Sequence, residues 1–406
     1  MKRFSKGFLL GAATAAHQVE GNNRNSDYWA MENVPQSSFK EPSGASVDHY
    51  NRYKEDIDLL AGAGLNAYRF SIEWARIQPT PDSFDDKEIK HYRQVLEHCH
   101  AKGVEPVVTL HHFSSPKWIV DAGGWEDERT ADAFAVYCRY VVERLGHLMH
   151  YVCTINEANM GLQLAKLIRD MMKQMGDVQV GMNMEALKNR PAQPFHFLSG
   201  RTPEGDMVVI HAHEKARAAI RAVCPELKIG MTFSLHDFQV QPGGEDLARA
   251  EQEEEFLHYL PHLQEDDFIG VQNYTRKLVG PEGVLPVPEG AELTQMNYEF
   301  YPQAISNVVR FVAAHWSKAI LITENGVSTL DDSRRVAFIR QALEGIQSCI
   351  ADGVDVRGYL CWTLLDNFEW QLGYTPRFGL IAVDRETQIR TPKESLGVLG
   401  MYAPEK

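Results

Sequence analysis

The chain has 406 residues, and 44% of them are hydrophobic, so it can bury the core of one large domain or of two ordinary ones. Its formal net charge of −14 at pH 7 leaves no basic excess to neutralise phosphates, which argues against nucleic acid or an anionic membrane as a partner. No apolar run approaches the length of a membrane helix, so the composition favours a soluble protein that acts on a neutral small molecule.

The N-terminus imitates a secretory signal peptide, because Lys2, Arg3 and Lys6 precede the apolar residues 7–16. That run is short and continues into polar residues, so we interpret it as a first strand. The six cysteines form no Cys-x-x-Cys pair, and most fall in helix-like or strand-like stretches, as buried free thiols do. Free thiols suit a reducing compartment, so we expect a cytoplasmic protein.

Apolar periodicity predicts strands that alternate with helices along the whole chain. The eight predicted strands cover residues 8–18, 67–74, 105–112, 151–157, 228–234, 267–274, 319–324 and 356–365. The predicted helices cover residues 47–63, 87–102, 130–146, 206–223, 245–260, 302–316 and 333–351. Alternation implies parallel strands joined by crossover helices, and eight such strands close a (β/α)8 TIM barrel. We therefore predict one α/β catalytic domain over residues 1–406.

A doubly wound open sheet is the alternative fold, and it would place a glycine-rich phosphate turn after the first strand. Gly11-Ala12-Ala13 does not match that fingerprint, so the barrel is favoured. Residues 159–201 and 279–296 break the alternation and are predicted to be loops inserted over the barrel mouth. The first stretch contains six methionines, which either pack a helix in the ordinary way or line a wall that fits varied apolar groups.

Polar residues interrupt the apolar runs mainly at the carboxyl ends of the predicted strands. The fourth strand runs into Asn156 and Glu157, and the seventh runs into Glu324. In a strand barrel these ends meet at one mouth, where the chemistry of barrel enzymes takes place. A carboxylate buried there is costly to desolvate, so it needs a partner or a task.

The other strand ends complete a set of residues that suits a sugar. Its members are Gln18, Arg69, Glu73, Trp74, His111, His112, Gln272, Asn273, Tyr274, Trp362, Asp366, Asn367, Glu369 and Trp370. Amides and charged groups pair with sugar hydroxyls, whereas flat aromatic side chains cover the C–H faces of a pyranose. Two opposed carboxyl groups suit glycoside hydrolysis, in which one donates a proton and the other attacks or activates water.

Two rival kinds of site fit the sequence less well. His111 and His112 are adjacent on a predicted strand, so they point to opposite faces and cannot chelate one metal ion. His211 and His213 are two residues apart on a predicted helix and do not share a face. A Ser-His-Asp hydrolase would need a Gly-x-Ser-x-Gly elbow, which this sequence lacks. We expect neither a metal nor a cofactor.

Five motifs in this order resemble glycoside hydrolase family 1, the β-glucosidase and β-galactosidase family. They are GAAT at 11–14 with QVEG at 18–21, YRFSI-x-W-x-R-I-x-P at 68–79, TINE at 154–157, ITENG at 322–326 and LDNFEW at 365–370. The resemblance runs from about Phe4 to Pro392. It implies an exo-acting, retaining β-glycosidase whose substrate is a small β-glycoside or short oligosaccharide, with β-glucosides first and β-galactosides or β-fucosides as further candidates.

The resemblance also assigns roles to residues. It makes Glu157 the acid/base and Glu324 the nucleophile, with Arg69 and Tyr274 hydrogen-bonded to the nucleophile. The positions that match groups around the bound sugar are Gln18, His112, Asn156, Tyr274, Trp362, Glu369, Trp370 and Phe378. Three places depart from the family pattern, since Ala158 replaces a proline, Phe113 replaces a tryptophan, and Gln272-Asn273-Tyr274 replaces Asn-Tyr-Tyr. These departures bear on substrate preference more than on activity.

The surroundings of the two glutamates predict different protonation states. A nearby Arg69 favours the charged form of Glu324, whereas Glu157 faces another carboxylate and keeps its proton longer. Glu369 would accept hydrogen bonds from sugar hydroxyls and repel a phosphate, which argues against a 6-phosphoglycoside. Transglycosylation at the same site and a non-catalytic sugar-binding barrel remain the alternatives.

Overall fold

A computed structural model describes residues 2–175 and 196–405. In these residues, eight parallel strands close into a barrel, because the first strand pairs with both the second and the eighth. The barrel strands are Leu9–Ala13, Ala67–Ser71, Glu105–His111, Tyr151–Ile155, Lys228–Ser234, Phe268–Gln272, Ala319–Asn325 and Val356–Trp362. The prediction of a (β/α)8 barrel is confirmed.

A long helix lies in each connection between consecutive barrel strands, within five residues of the predicted bounds. These helices are His49–Gly62, Asp86–Ala101, Glu128–Leu145, Pro203–Arg221, Glu245–Glu255, Ala304–His315 and Asp332–Ala351. The first of them ends as predicted, because Gly64 takes a left-handed conformation with φ of +89° that other residues adopt at a cost.

Shorter elements decorate the barrel in the described residues. The additional helices are Ala16–Val19, Asp27–Glu32, Trp74–Ile77, Lys117–Asp121, Met160–Met175 and Glu394–Gly400. Short 3₁₀ segments cover Gly124–Glu126, Gly146–Leu148, Leu257–Leu263 and Trp370–Leu372. Two small sheets complete the fold, one formed by Asp237–Val240, Arg276–Gly280 and Gly283–Val284 and the other by Ile381–Val383 and Arg390–Pro392.

The apolar core has an outer and an inner part. The outer part fills the space between the barrel and its helices, where the buried apolar side chains form one continuous cluster. The inner part fills the barrel, and its strand residues are Leu9, Ala13, Ala67, Val107, Cys153, Phe268, Leu321, Leu360 and Trp362. These positions alternate with outward-facing ones along each strand. The filled interior forms a floor beneath the carboxyl ends of the strands.

The first two strands are shorter than predicted. Gln18 lies on the short helix Ala16–Val19, and Trp74 begins the helix Trp74–Ile77. The second of these helices starts where it does because the Glu73 carboxylate accepts from the Ala75 N–H at 3.1 Å, which caps the first turn. A single helical turn is too short to show a 3.6-residue period, so sequence periodicity extends the strand through it.

The two predicted inserted loops contain regular structure. Residues 160–175 of the first form a helix, so describing that part as a loop was wrong. The second contains the end of the strand Arg276–Gly280 and the two-residue strand Gly283–Val284, and its remaining residues, all within the described chain, form no helix or strand. A short or irregular apolar pattern does not distinguish such elements from a loop. Met182 and Met184 of the methionine-rich stretch lie outside the described residues.

All six cysteines are free thiols, and five of them are buried, whereas Cys224 is partly exposed. The prediction of buried free thiols is therefore confirmed except at Cys224. Within residues 2–175 and 196–405, no helix combines the length and the apolar character that a membrane crossing requires.

Candidate active site

A cavity lies at the carboxyl ends of the barrel strands, the place where barrel enzymes bind their ligands. Glu157, which follows the fourth strand, and Glu324, which ends the seventh, both line it. The structure brings most of the predicted sugar-binding residues to the same cavity, namely Gln18, His112, Tyr274, Trp362, Glu369, Trp370 and Phe378. Residues distant in sequence therefore meet in one hollow, and both carboxyl groups face it.

Two donors hold the Glu324 carboxylate. Arg69 Nη1 donates to Oε1 at 2.5 Å, and the Tyr274 hydroxyl donates to Oε2 at 2.7 Å. The Arg69 side chain is fully buried and reaches Glu324 across the barrel from the second strand. Gly326 follows because a Cβ atom at this position would lie 1.9 Å from the Trp362 carbonyl oxygen. The glycine of Glu-Asn-Gly thus allows the end of the seventh strand to lie close to the backbone of the eighth.

Asn156 links Arg69 to the histidine on the cavity wall. Its Oδ1 accepts from Arg69 Nη2 at 2.5 Å and from Gln272 Nε2 at 2.7 Å. Its Nδ2 donates to His112 Nε2 at 3.2 Å, which requires that ring nitrogen to be unprotonated. Burial lowers the pKa of His112 well below its usual value, and the charge of Arg69 lowers it further, so the ring is neutral. Asn156 is fully buried behind the cavity lining.

Glu157 occupies a backbone conformation that is rare for its residue type. Its φ of +44° lies in the left-handed region, and its N–H donates to the Thr232 hydroxyl at 3.1 Å. Phe113 and Trp370, which also line the cavity, have φ values of +65° and +49°. Backbone strain of this kind persists only where the surroundings enforce it, and it concentrates at functional sites.

Aromatic rings form one wall of the cavity. His112 lies nearly parallel to Trp362, with centroids 5.7 Å apart, and to Trp370, with centroids 6.4 Å apart. His17 stacks on Trp370 from behind at 5.7 Å and fixes the orientation of the indole. Such flat surfaces suit the C–H faces of a sugar ring.

Gln18 and Glu369 supply hydrogen-bonding groups beside this wall. Gln18 Nε2 donates to the Phe368 carbonyl at 2.7 Å and to Glu369 Oε2 at 3.3 Å. Gln18 Oε1 is buried without a hydrogen-bond partner among the described residues, as is His112 Nδ1. A ligand hydroxyl in the cavity would satisfy both atoms, since unpaired buried polar groups are costly.

The surroundings of the two glutamates affect their pKa values differently. Burial raises the pKa of Glu157 well above its ordinary value, and the negative charge of Glu324 raises it further, against the opposing effect of Arg69. Burial also raises the pKa of Glu324, but there the charge of Arg69 and the hydrogen bond from Tyr274 counteract it. Of the two, Glu324 is therefore the group that ionises more readily, and Glu157 is the group that keeps its proton to higher pH.

This difference predicts a bell-shaped pH profile for kcat/KM. Activity rises with pH as Glu324 ionises, and because burial raises its pKa, the acid limb lies above the ordinary range of a glutamate. We expect activity to fall at higher pH as Glu157 loses its proton, because the family resemblance assigns that proton to the leaving group. Initial rates measured across the pH range in which the protein stays folded test this profile.

Glu369 also titrates at alkaline pH, so a variant of this residue is needed as a control for the alkaline limb. Burial and the charge of Glu324 raise the pKa of Glu369 to about 8, against the hydrogen bond from Gln18. We expect Glu369→Gln to lower activity while retaining the alkaline limb, and Glu157→Gln in the Glu369→Gln background to remove it. An alkaline limb that persists in this double variant would contradict the assignment of Glu157.

Several strand-end residues do not reach the cavity. Trp74 packs in the outer core against Tyr137, with centroids 5.2 Å apart, and His111 contacts Trp125 on the outside of the barrel. Asp366 pairs with Lys393 at 2.8 Å. These three side chains are structural, although their positions in sequence match those of lining residues. Glu73, Asn273 and Asn367 are also absent from the described lining.

Strand-end reasoning missed two groups of residues. Thr232, which contacts both Glu157 and Asn156, lies inside the fifth strand, where a lone threonine gives no signal. The lining residues contributed by inserted segments and strand tips are Met160, Leu164, Leu198, Ser234, Met296 and Tyr298. Met160 belongs to the methionine-rich stretch for which the sequence left open either helix packing or a cavity wall, and it lines the cavity. The positions of the others depend on how the segments fold over the mouth.

Comparisons with known proteins find relatives that match along nearly the whole chain. The family model for glycosyl hydrolase family 1 matches residues 1–194 and 264–399. A 1,4-beta-D-glucan glucohydrolase of Thermotoga neapolitana is 29% identical over 453 residues, which covers 97% of each chain. The crystal structure of beta-glycosidase BGL167 is 45% identical, covers 99% of this chain and 98% of its own, and has a TM-score of 0.90. A beta-glucosidase from Thermotoga maritima, solved with cyclophellitol, is 26% identical, covers 100% of both chains and has a TM-score of 0.85.

Proposed function

This chain belongs to glycosyl hydrolase family 1. We propose that it is a retaining β-glycosidase that hydrolyses uncharged β-glucosides. The observation that carries the proposal is the pair of buried glutamates on one cavity, of which only Glu324 is held by a guanidinium and a phenol hydroxyl. One ionised and one protonated carboxyl group are what double displacement at an anomeric carbon requires.

In the first step, the Glu324 carboxylate attacks the anomeric carbon while Glu157 gives its proton to the departing glycosidic oxygen. The C–O bond to the leaving group breaks, and an ester bond forms between Glu324 and the sugar. In the second step, Glu157, now a carboxylate, takes a proton from water as the water oxygen attacks the same carbon and releases Glu324. Arg69 and Tyr274 stabilise Glu324 when it carries charge, that is, before attack and after release.

The groups on the aromatic side of the cavity hold the sugar. Gln18, His112 and Glu369 offer donors and acceptors to its hydroxyls, while Trp362 and Trp370 cover its C–H faces. Asn156 is a positioning residue that acts through His112 and Arg69. Its hydrogen bonds fix the neutral tautomer of His112 and the orientation of Arg69. A glucoside is the first choice because the relatives named above include a glucohydrolase and a beta-glucosidase.

The proposal is tested by following hydrolysis of nitrophenyl β-glucoside by proton NMR. We expect the β-anomer of glucose to accumulate first and the α-anomer to appear only by mutarotation. An initial α-anomer would show inversion and would overturn the covalent step, whereas no turnover of any nitrophenyl β-glycoside would overturn the proposal itself. Nitrophenyl β-galactoside and β-fucoside in the same assay rank the accepted sugars.

A phosphorylated substrate is predicted to be rejected. The described lining contains three carboxyl groups, Glu157, Glu324 and Glu369, and neither lysine nor arginine. A 6-phosphate would enter without a cationic partner, and burying an unpaired dianion is costly. We expect kcat/KM for nitrophenyl 6-phospho-β-glucoside to be lower than for the unphosphorylated sugar by a factor of about 10³ or more, measured at equal enzyme concentration.

Because Glu369 is buried, repulsion by its charge is not the main reason that a phosphorylated substrate is rejected. With a pKa of about 8, Glu369 is largely protonated at pH 7, so the missing cation and the charge of Glu324 matter more than repulsion by Glu369. Rates for the two substrates within tenfold of each other would contradict this description of the cavity charge.

A further inference from the structure

We propose that this enzyme accepts best a leaving group that is an apolar alcohol, alkyl or aryl, and that it accepts a second sugar poorly. The inference rests on the proposed function, because it takes Glu157 as the group that protonates the departing oxygen. The side chains beside Glu157 in the cavity are then those that contact the leaving group. Most of them are apolar.

One apolar wall comes from the helix that starts just after Glu157. The N–H of Met160, the first residue of that helix, donates to the Glu157 carbonyl at 2.9 Å. Leu164 follows one turn later and therefore shares the same face. Leu198 joins them because the Arg201 N–H donates to the Gly161 carbonyl at 3.0 Å, which anchors its segment to the start of the helix. All three apolar side chains line the cavity.

A second wall comes from the segment that carries Met296 and Tyr298. A β-bridge joins Leu293 to Glu299 at the base of this segment, and the Gln295 N–H donates to the Ser328 carbonyl at 3.1 Å. These contacts tie the segment to the chain that follows Glu324. Met296 packs against the interior cluster, and the side chains of Met296 and Tyr298 both line the cavity.

Polar groups are scarce among the described residues of these walls. Burial raises the pKa of Glu157, and hydrogen bonding with the Ser234 hydroxyl opposes that rise, so the hydroxyl faces the Glu157 carboxyl group. The other polar side-chain group on these walls, among the described residues, is the phenol of Tyr298, whose pKa is raised by burial and by the charges of Glu369 and Glu157. A second sugar would bring several hydroxyls to these walls, and hydroxyls buried without partners cost binding free energy. An alkyl or aryl group buries apolar surface there instead, and methionine adapts to its shape.

The contrast with the other half of the cavity supports the assignment. Gln18, His112 and Glu369 concentrate hydrogen-bonding groups where the sugar being cleaved would lie, and two of their atoms are buried without partners in the described chain. The cavity is therefore polar where Glu369 lies and apolar where Met160 and Leu164 lie. A substrate with one sugar and one apolar group matches both halves.

The test compares kcat/KM for hexyl β-glucoside, methyl β-glucoside and cellobiose with the unaltered enzyme. Hexanol is a poorer leaving group than a sugar hydroxyl, so a preference for the hexyl compound reports binding. We expect hexyl β-glucoside to exceed cellobiose by about tenfold or more and to exceed methyl β-glucoside as well. Cellobiose hydrolysed as efficiently as the hexyl compound overturns this inference alone, whereas no hydrolysis of any of the three overturns the proposed function.

Paired variants locate the preference in the structure. Leu164→Gln makes the helix wall polar, and Leu167→Gln is its control, because Leu167 is 55% exposed on the same helix and lines a separate groove. We expect the ratio of hexyl to methyl kcat/KM to fall about tenfold in Leu164→Gln and to stay unchanged in Leu167→Gln. Met296→Gln, on the second wall, gives the same fall and covers the case in which Leu164→Gln does not fold. A ratio unmoved in the folded cavity variants overturns the inference.

Discussion

Replacing Glu324 with glutamine is expected to lower kcat for nitrophenyl β-glucoside by about 10⁴-fold or more. Glutamine has nearly the same shape, so the cavity keeps its form, but a neutral amide cannot form the glycosyl ester. The amide also presents N–H donors where Arg69 and the Tyr274 hydroxyl both donate to the carboxylate. Circular dichroism and thermal unfolding of the variant should show that the barrel is intact.

Glu73→Gln provides a matched control. Glu73 is only 4% exposed, and burial raises its pKa to about 7, so it shares burial and a raised pKa with Glu324. It caps a helix and accepts from the Ser114 hydroxyl at 3.1 Å, but the cavity lining does not include it. We expect this variant to keep kcat within about fivefold of the unaltered enzyme. Equal losses in both variants would show that removal of any buried carboxylate disables the barrel.

Rescue by azide separates a missing nucleophile from general damage. Glu324→Gly opens space where the carboxylate stood, and azide can attack the anomeric carbon from that side. Glu157 still protonates the leaving group, so we expect azide to restore turnover and to yield the α-glycosyl azide. The Glu73→Gln variant should show no response. A β-glycosyl azide from Glu324→Gly would place the nucleophile on the other face of the sugar and contradict the assignment.

The barrel was predictable because its signals are local. Each strand such as 319–324 is buried on both faces, which leaves an uninterrupted apolar run, and each crossover helix leaves a 3.6-residue period. Glu324 stands out since a carboxylate directly follows such a run. The position of Gln18 cannot be predicted from a local pattern. Gln18 lies on a single helical turn, and its side chain is held by a hydrogen bond to the carbonyl of Phe368, 350 residues away in the chain.

The fine structure of the site depends on contacts that no local pattern encodes. Gln272 differs from the family residue at its position, and only the fold shows its amide donating to Asn156 Oδ1 at 2.7 Å. The apolar half of the cavity likewise depends on residues distant in sequence. Met160 and Met296, which are 136 residues apart in the chain, line the same cavity. The pKa of Glu369 near 8 arises from burial and from Glu324, so it too follows only from the assembled site.

Replacing Glu157 with alanine is expected to have an effect that depends on the leaving group. A methyl β-glucoside needs a proton on its departing oxygen, so kcat/KM should fall by about 10³- to 10⁴-fold, which is the upper range of general acid catalysis. Dinitrophenolate leaves without protonation, so the first step with dinitrophenyl β-glucoside should change by less than about tenfold. Stopped-flow measurement of dinitrophenolate release gives the first step directly.

The second step separates this role of Glu157 from sugar binding. Without a base to take a proton from water, the glycosyl-enzyme on Glu324 should accumulate, and dinitrophenolate should appear in a burst followed by a slow phase. Azide needs no base, so it should speed the slow phase and yield the β-glycosyl azide. Glu369→Gln, which alters the sugar-binding half, should lower kcat/KM for both glucosides alike because the sugar is the same. Equal losses for both leaving groups in Glu157→Ala would mean that the proton reaches the departing oxygen from a group other than Glu157.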